Sequence, residues 1–328
     1  MAQPQQRPAA GVVRIYDFLP ESASFLGAVR AGLAGARKSL PSKYFHDAHG
    51  CAMLEQICES SEHSPEGIEL SLMREHAAAM ATFLGPDCQL IELGGAATRK
   101  ACTLIAELQP SLYVPVGISA EATRTAAEGL AQIFPWLNVC GVCADYTAPL
   151  ALPRFVGVPI RQKAVYLPGS IFSIFTPDEA AGVLQLARRV VGPGGALLAG
   201  VELKPDPAAA DAPGGDASGA IAAFKLNALE RINRELGGDF QLRRFRHRAL
   251  YNADQSWIEM HFESLASQFV HVGGMRFGFS HGETMLAAIS CQYGVDEFRA
   301  LAKRAGFAPG PSWIDASRRF SVQGMNAL

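Results

Sequence analysis

The hydrophobic and polar positions of the chain first follow a helical period and then divide into short apolar runs. Apolar residues recur every three to four positions over residues 22–37, 50–60 and 67–84, which predicts three helices. From residue 90 to residue 201, apolar runs of strand length alternate with helical segments, a pattern typical of a parallel, doubly wound α/β sheet. The predicted strands are 90–93, 113–116, 139–142, 163–167 and 196–201, and the predicted helices between them are 100–108, 119–133 and 177–191.

The pattern changes after residue 204. Residues 205–219 are rich in proline, alanine, glycine and aspartate, which predicts a loop. A helix over 220–236 follows, and the next segments are β-like at 240–251, 256–263 and 269–272. A helix over 295–304 and one final strand over 313–322 return to the α/β pattern.

These segments predict a Rossmann-like core that is interrupted by a second unit. The expected organisation is a core over 21–203 and 288–328, an inserted α+β substrate unit over 204–287 joined by residues 10–20, and a disordered tail over 1–9.

The first strand of the predicted sheet ends in a motif that favours an adenosine cofactor. Glu92 is followed by Gly94 and Gly95, and a helix containing Lys100 begins directly afterwards. Glycines at such a turn let a ligand approach the backbone, and the amides of the next helix then face that ligand. The sequence contains no Gly-x-x-x-x-Gly-Lys-Ser/Thr and no Gly-x-Gly-x-x-Gly motif, so a cofactor without a pyrophosphate is favoured. We expect S-adenosylmethionine and the class I methyltransferase form of the fold.

The other strand ends supply further candidates for cofactor binding. A carboxylate that accepts both ribose hydroxyls normally follows the second strand, but here that place is taken by Gly117, with Ser119 nearby. Asp145 is placed either to accept from the adenine amino group or to cap a turn, and Tyr146 is placed to cover the ring. The fourth strand ends in Pro168, Gly169 and Ser170.

Composition narrows the classes of partner. Hydrophobic residues make up 49% of the 328 residues, and the net charge of −2 gives no basic field for nucleic acid or an anionic membrane. No apolar run has the length of a membrane span, and the polar start lacks a signal core, so we expect a cytoplasmic protein. The eight histidines show no metal-ligand spacing. Cys140 and Cys143 form one isolated Cys-x-x-Cys, which favours a structural role, and we expect no metal.

Several motifs, taken in order, resemble one known family. They comprise residues 40–47 (LPSKYFHD), 91–95 (IELGG), 113–116 (YVPV), 144–146 (ADY), 168–170 (PGS), 224–227 (FKLN), 233–236 (NREL), 258–261 (IEMH) and 282–284 (GET). From about residue 20 to the end, the chain resembles the histidine-specific N-methyltransferases of ergothioneine biosynthesis. The resemblance implies a Rossmann-like core with an inserted substrate domain, and methylation of an amino-acid α-amine by S-adenosylmethionine.

The chain departs from this family where the family binds histidine. The resemblance implies polar partners of the substrate at positions that here hold Ser64, Ile174, Gly214 and Ala288, whereas the serine at Ser290 is kept. His46 stands where the family has a tyrosine. A carboxylate gains about 1.5–3 kcal/mol from each charge-directed hydrogen bond, so these losses predict that free histidine is not the substrate.

Three functions remain open from the sequence. The first is methylation of another small amine, in a pocket with Phe172, Ser173, Phe175 and Tyr146 as the catalytic candidates. The second is cyclisation of S-adenosylmethionine itself, in which its α-amine attacks its γ-carbon to give azetidine-2-carboxylate and methylthioadenosine, with Tyr146, Phe172 and Phe175 stabilising the sulfonium by cation–π contacts. The third is a cofactor-binding protein without activity.

Overall fold

The computed structural model describes residues 11–18, 23–60, 64–94, 99–153, 155, 157–169, 171–204, 219–255 and 257–328. The strands are β1 (Val13–Asp17), β2 (Gln89–Leu93), β3 (Leu112–Gly117), β4 (Asn138–Cys143), β5 (Lys163–Leu167), β6 (Ala196–Glu202), β7 (Phe245–Asn252), β8 (Trp257–Ser264), β9 (Gln268–Val272), β10 (Met275–Phe279), β11 (Thr284–Cys291), β12 (Phe307–Ile314) and β13 (Phe320–Ala327). The helices are α1 (Ala23–Ala34), α2 (Ala48–Ser60), α3 (Pro65–Leu84), α4 (Arg99–Leu108), α5 (Ala120–Ile133), α6 (Pro177–Val191), α7 (Ala220–Leu236) and α8 (Val295–Arg304).

Eight strands form one large sheet in the order β1-β4-β3-β2-β5-β6-β13-β12. Strands β1 to β6 pair in parallel, and β13 and β12 pair antiparallel at one edge. The chain runs outward from β2 in both directions, through β3 and β4 on one side and through β5 and β6 on the other. The carboxyl ends of β2, β3 and β5 therefore meet at a topological switch point, where α/β sheets bind their ligands. The predicted fold class is confirmed.

Both faces of this sheet are covered, which explains why its strands read as continuous apolar runs. All five residues of β2 and all six of β3 are buried. One apolar cluster packs α6 and α8 on one face, and a second packs α3, α4 and α5 on the other. Local signals set the helix bounds; α6, for example, begins after a capping box between Thr176 and Glu179 and ends at Gly192, where φ is 74°.

A second unit has its own apolar core. Strands β7, β8 and β11 form a three-stranded sheet, and β9 and β10 form a hairpin. Residues of α1, α2 and α7 pack with these strands around the buried side chains of Phe45, Phe224 and Phe262. Within the described part of the chain, no helix combines the length and apolar character needed to span a membrane.

The structure corrects four details of the predicted organisation. Residues 13–17 pair with β4 in the large sheet and do not join the inserted unit, because they extend the sheet edge next to β4. Strand β11 pairs with β8, so the inserted unit continues past residue 288. The C-terminal strand predicted over 313–322 is a hairpin of β12 and β13. Helix α1 packs with the second unit, although residues 21–34 were expected in the core. The predicted tail over residues 1–9 lies outside the described residues.

Candidate active site

The turn after β2 leaves no room for a side chain at Gly94. Its φ is +81°, and a Cβ there would lie 2.5 Å from Ile171 Cδ1 and 2.8 Å from Tyr146 Oη. The Gly94 amide donates to the Val116 carbonyl at 2.9 Å, which ties the end of β2 to that of β3. This position therefore requires glycine, and the approach of a cofactor to its backbone stays a prediction. Gly95 lies outside the described residues.

A cleft of about 470 Å³ opens beside the end of β3, within the size range of small-molecule sites. Gly117 contributes no side chain. The Ser119 hydroxyl is committed to the start of α5, where it accepts from the Ala122 amide at 3.2 Å. The cleft is lined by Ile118, Ser119, Ala120 and Glu121 from the core and by Asp47, Ala48, His49, Arg231, Arg234 and Glu235 from the second unit. Glu121 is near the place of the missing ribose carboxylate but not equivalent to it, and binding of the cofactor in this cleft stays a prediction.

The turn after β4 is stabilised by its own carboxylate. Asp145 accepts from the Thr147 amide at 2.9 Å and from its hydroxyl at 2.5 Å, which is the turn-capping alternative left open by the sequence. The Tyr146 ring packs beside Gly94, and burial, with a smaller effect of Asp145, raises the pKa of its phenol. Tyr146 therefore stays protonated and acts as a wall of the cofactor turn.

Glu92 is fully buried and accepts a hydrogen bond from the Tyr113 hydroxyl on the neighbouring strand. Burial, and then the charge of Glu92, raises the pKa of Tyr113 well above its usual value. The contact that the structure gives Glu92 is thus a brace between β2 and β3, whereas direct contact with the cofactor stays a prediction.

A second buried carboxylate, Glu69 of α3, connects three parts of the cofactor site. It accepts from Lys100 Nζ at 2.7 Å, from the Tyr166 hydroxyl at 3.0 Å and from the Gly169 amide at 2.7–2.8 Å. A Cβ at Gly169 would lie 2.4 Å from Glu69 Oε2, and one at Gly200 would lie 2.5 Å from Oε1. The two glycines therefore make room for this carboxylate. Lys100 pairs with Glu69, and its predicted contact with the cofactor stays a prediction.

The sequence analysis did not single out Glu69, although a signal for it was present. Glu69 stands three and four positions before Leu72 and Met73, which puts a carboxylate on the apolar face of α3. A charged residue on such a face is a sign of a buried network.

Another cluster of charged groups lies at the end of β6. The partly buried Glu202 side chain is hydrogen-bonded to Ser173 and Gln292. Its pKa is raised to about 7, first by burial and then by the charge of Glu66, against the opposing effects of those hydrogen bonds and of Lys225. Ser173 follows β5, Glu202 ends β6 and Glu66 lies in the first turn of α3, so the cluster forms at the carboxyl ends of β5 and β6.

The second unit contributes Lys225 and His46 to the same region. Lys225 is 8% exposed, its Nζ lies 4.9 Å from the centre of the Phe45 ring, and burial lowers its pKa to about 8 against the charges of Glu66 and Glu202. The ring of His46 lies 5.7 Å from that of Phe224. Burial, and then Lys225 and Arg231, lowers the pKa of His46 to about 4, so its imidazole is neutral at pH 7.

The aromatic residues predicted to face the reacting atoms belong to the core. Phe172 is 1% exposed and packs edge-on against Phe298 at 4.8 Å, and Phe175 is also buried in the core of the large sheet. Their rings are used in packing α6 and α8, which the sequence could not distinguish from lining a pocket. Ile174 is less buried and packs against the same cluster.

The other predicted substrate contacts have structural surroundings. Ser64 caps α3, with its hydroxyl accepting from the Gly67 amide at 3.1 Å. Ala288 and Ser290 are buried on β11 beside Met260 and Ile258 of β8. Pro168 is buried at the end of β5, whereas Ser170 and Gly214 lie outside the described residues.

The cysteines and the other possible ligands do not form a metal centre in the described part of the chain. Burial raises the pKa of both Cys140 and Cys143 to about 12. Their thiols are therefore protonated, in keeping with the structural interpretation of this pair.

The strand order and the glycine turn at Gly94 agree with the class I methyltransferase form of the fold that the sequence predicts. The fold is also that of the CcbJ methyltransferase from Streptomyces caelestis, with a TM-score of 0.50 at 17% identity over 88% of this chain and 99% of the other. The chain belongs to the family of histidine-specific, S-adenosylmethionine-dependent methyltransferases, whose model matches residues 25–327.

Named relatives fall into two groups. The chain is similar to the histidine N-alpha-methyltransferase of Mycolicibacterium smegmatis, with 32% identity over 300 residues, 90% of this chain and 92% of the relative. It is also similar to the N-methyltransferase imqF of Aspergillus flavus, with 22% identity over 302 residues, 88% of this chain and 80% of the relative. The family resemblance inferred from the motifs is confirmed, and so are the methyltransferase class and the cofactor.

Proposed function

We propose that this enzyme transfers the methyl group of S-adenosylmethionine to the nitrogen of a small amine other than free histidine. The observation that carries the proposal is that the side chains at the positions expected to bind histidine are either apolar or already hydrogen-bonded within the protein. Ile174 packs against the core, and Ala288 offers a methyl group where the resemblance implies an acid that reads the imidazole.

One of these positions holds a polar residue whose hydroxyl already has a role in the fold. Ser64 is buried, and its hydroxyl accepts from the Gly67 amide at the start of α3. Reorienting this hydroxyl toward a substrate would remove a helix cap, at a cost of about 1 kcal/mol. A site designed to hydrogen-bond a substrate discriminates by factors of thousands, whereas an apolar pocket discriminates weakly. The lining therefore supports an acceptor that is less polar or bulkier than histidine.

The breadth of the relatives supports the same proposal. The family contains proteins named histidine N-alpha-methyltransferase, and the similar chains from two Aspergillus species are named only as N-methyltransferases. These names agree with a family in which the cofactor is the same and the acceptor amine differs between members.

Cyclisation of S-adenosylmethionine is the alternative, and it has weaker support. That reaction would need groups around the sulfonium to replace an acceptor. Of the three aromatic side chains considered for this role, Phe172 and Phe175 are buried in the core, which leaves Tyr146 beside the cofactor turn.

One product analysis tests the proposal. The purified enzyme is incubated with S-adenosylmethionine alone, with histidine, and with a panel of other amino acids and primary amines, and the products are identified by mass spectrometry. We expect S-adenosylhomocysteine with an amine of the panel and not with histidine. Trimethylhistidine would overturn the choice of acceptor, and methylthioadenosine without any amine would establish cyclisation. The Gly94→Ala variant, which lacks space for its Cβ, provides the inactive control.

A further inference from the structure

The charged groups at the end of β6 have a place in the fold but no role in cofactor binding. Glu202 is the last residue of β6, and Ser173 lies in the turn that follows β5. Ligands of a doubly wound sheet bind outside the carboxyl ends of its strands, the side of the sheet on which Glu202 and Ser173 lie. The hydrogen bond between Glu202 and Ser173 joins the carboxyl end of β6 to the turn after β5.

The groups that face Glu202 come from four elements. Ser173 and Gln292 share hydrogen bonds with its carboxyl group, the first from the turn after β5 and the second from the residue after β11. Glu66 of α3 and Lys225 of α7 act on it through their charges. The negative charge of Glu66 and the positive charge of Lys225 thus have opposite effects on the Glu202 carboxyl group. Its hydrogen-bonding partners, Ser173 and Gln292, are both uncharged.

We propose that Glu202 is the catalytic base of this enzyme: its carboxylate binds the ammonium group of the acceptor and takes up its proton before the nitrogen attacks the methyl group. The inference rests on the proposed N-methylation. It assigns to this chain a residue that touches the reacting atoms, and it names a cationic primary or secondary amine as the group presented to the methyl donor.

The reaction balances in two steps. First, a proton passes from the ammonium group to the Glu202 carboxylate, which leaves a neutral amine and a carboxylic acid. The nitrogen lone pair then forms the bond to the methyl carbon while the electrons of the C–S bond return to sulfur, so the sulfonium becomes the thioether of S-adenosylhomocysteine. Glu202, which is only partly buried, returns its proton to water.

The environment of Glu202 suits this exchange. Free amines have pKa values of about 9–10, and an ordinary glutamate near 4.3 is too weak a base to deprotonate them readily. Burial and Glu66 raise the pKa of Glu202 to about 7, which narrows the gap to the amine. The charge of Lys225 lowers this pKa, so the charges of Glu66 and Lys225 together determine the pH at which Glu202 can accept a proton.

The proposal can be tested without knowing the acceptor. Sinefungin is a cofactor analogue that carries a C–NH₃⁺ group in place of the S⁺–CH₃ group, so it places an ammonium at the point of methyl transfer. We expect Glu202→Gln to weaken sinefungin binding by about ten- to a hundredfold, measured by calorimetry, because a charge-assisted contact is lost. Binding of S-adenosylhomocysteine, which lacks the ammonium, should change by less than about threefold. Equal changes for both ligands, or no change for either, would overturn the proposal.

Two variants give a second readout, which a purely structural role would not produce. In the wild type, the preference for sinefungin over S-adenosylhomocysteine should fall as the pH drops through about 7. Glu66→Gln should move this transition to lower pH, because a like charge is removed, and Lys225→Met should move it to higher pH. Shifts in the same direction would contradict the assignment.

The controls separate folding from function. Glu107→Gln, an exposed position on α4, should leave both affinities unchanged, and the unfolding temperature of each variant checks that the fold is intact. Since sinefungin binding needs no acceptor, this result stands whether or not histidine proves to be methylated, and the product analysis above fails or succeeds independently.

Discussion

Replacing Glu69 with glutamine should destabilise this protein more than most single substitutions. Glu69 has no exposed surface, and its partner Lys100 is 5% exposed. In the Glu69→Gln variant the buried ammonium group of Lys100 loses the carboxylate that lies 2.7 Å from it. Breaking a buried ion pair in this way costs about 3–5 kcal/mol, a large share of the 5–15 kcal/mol that stabilises a typical domain.

The remaining contacts of Glu69 set the expected size and the readout. The carboxylate also accepts from the Gly169 amide and from Tyr166, and a glutamine can satisfy these donors with only one oxygen. We therefore expect a fall in the free energy of unfolding of at least about 3 kcal/mol, measured by urea denaturation with an unchanged slope. Because Gly169 lies in the turn after β5, where we predict cofactor contacts, binding of S-adenosylhomocysteine should weaken as well.

A double-mutant cycle shows whether the ion pair is responsible. Lys100→Met alone should also destabilise the protein, but the double variant Glu69→Gln with Lys100→Met should be less unstable than the sum of the two by about 2 kcal/mol. Additivity within about 0.5 kcal/mol, or a single-variant loss below about 1 kcal/mol, would refute the reasoning. Glu128→Gln on the exposed face of α5 is the matched control and should lie within about 0.5 kcal/mol of the wild type.

Three further outcomes follow from the structure. Gly94→Ala should abolish cofactor binding in calorimetry, because its φ of +81° and the crowded Cβ position exclude a side chain. The control variant Gly129→Ala on α5 has open space around the new methyl group and should bind the cofactor normally. Equal binding by the two variants would contradict the close approach of the cofactor. The double variant Ile174→Asn with Ala288→Glu should gain histidine methylation, seen as methylated histidine by mass spectrometry, because it returns polar partners to an apolar lining; failure in a folded variant would mean that other residues exclude histidine. Finally, His46 has its pKa lowered to about 4, so the unfolded chain binds the proton first as pH falls. Stability should therefore decline between pH 6.5 and 4 more steeply in the wild type than in His46→Gln, and parallel urea-denaturation profiles would contradict the burial of this imidazole.

Much of the fold was predictable because its strongest patterns are local. The helices over 177–191, 220–236 and 295–304 and the strand over 163–167 have the predicted bounds, since apolar periodicity and capping residues determine them. Strand β12 was missed at its start because Pro309, Gly310 and Pro311 indicate a turn. It exists because it is an edge strand with a bulge at these residues, where a missing amide donor is tolerated.

In the candidate site, too, only the residues that belong to local motifs could be predicted from the sequence. The glycine turn at Gly94 is a local motif, and the sequence located it. Glu69 had a signal in its place on the apolar face of α3, whereas Glu202 and Lys225 had no local signal in the sequence. The properties of Glu202 and Lys225 depend on the side chains that the fold brings around them, and those neighbours are distant in the sequence. The burial of Phe172 and Phe175 in the core was not visible either, because an aromatic residue near a motif suits a pocket and a core equally well.

Helix α3 has a consequence for how the two ligands communicate. Ser64 and Glu66 stand at its beginning, where Glu66 acts on Glu202, and Glu69 lies one turn further on, hydrogen-bonded to Gly169 after β5. A helical turn does not stretch, so a ligand that displaces the first turn of α3 also pulls on Gly169 and Lys100. Cofactor and acceptor are then thermodynamically linked through one helix, and each must alter the affinity of the other by the same factor. Substrate specificity and cofactor affinity would therefore evolve together in this enzyme.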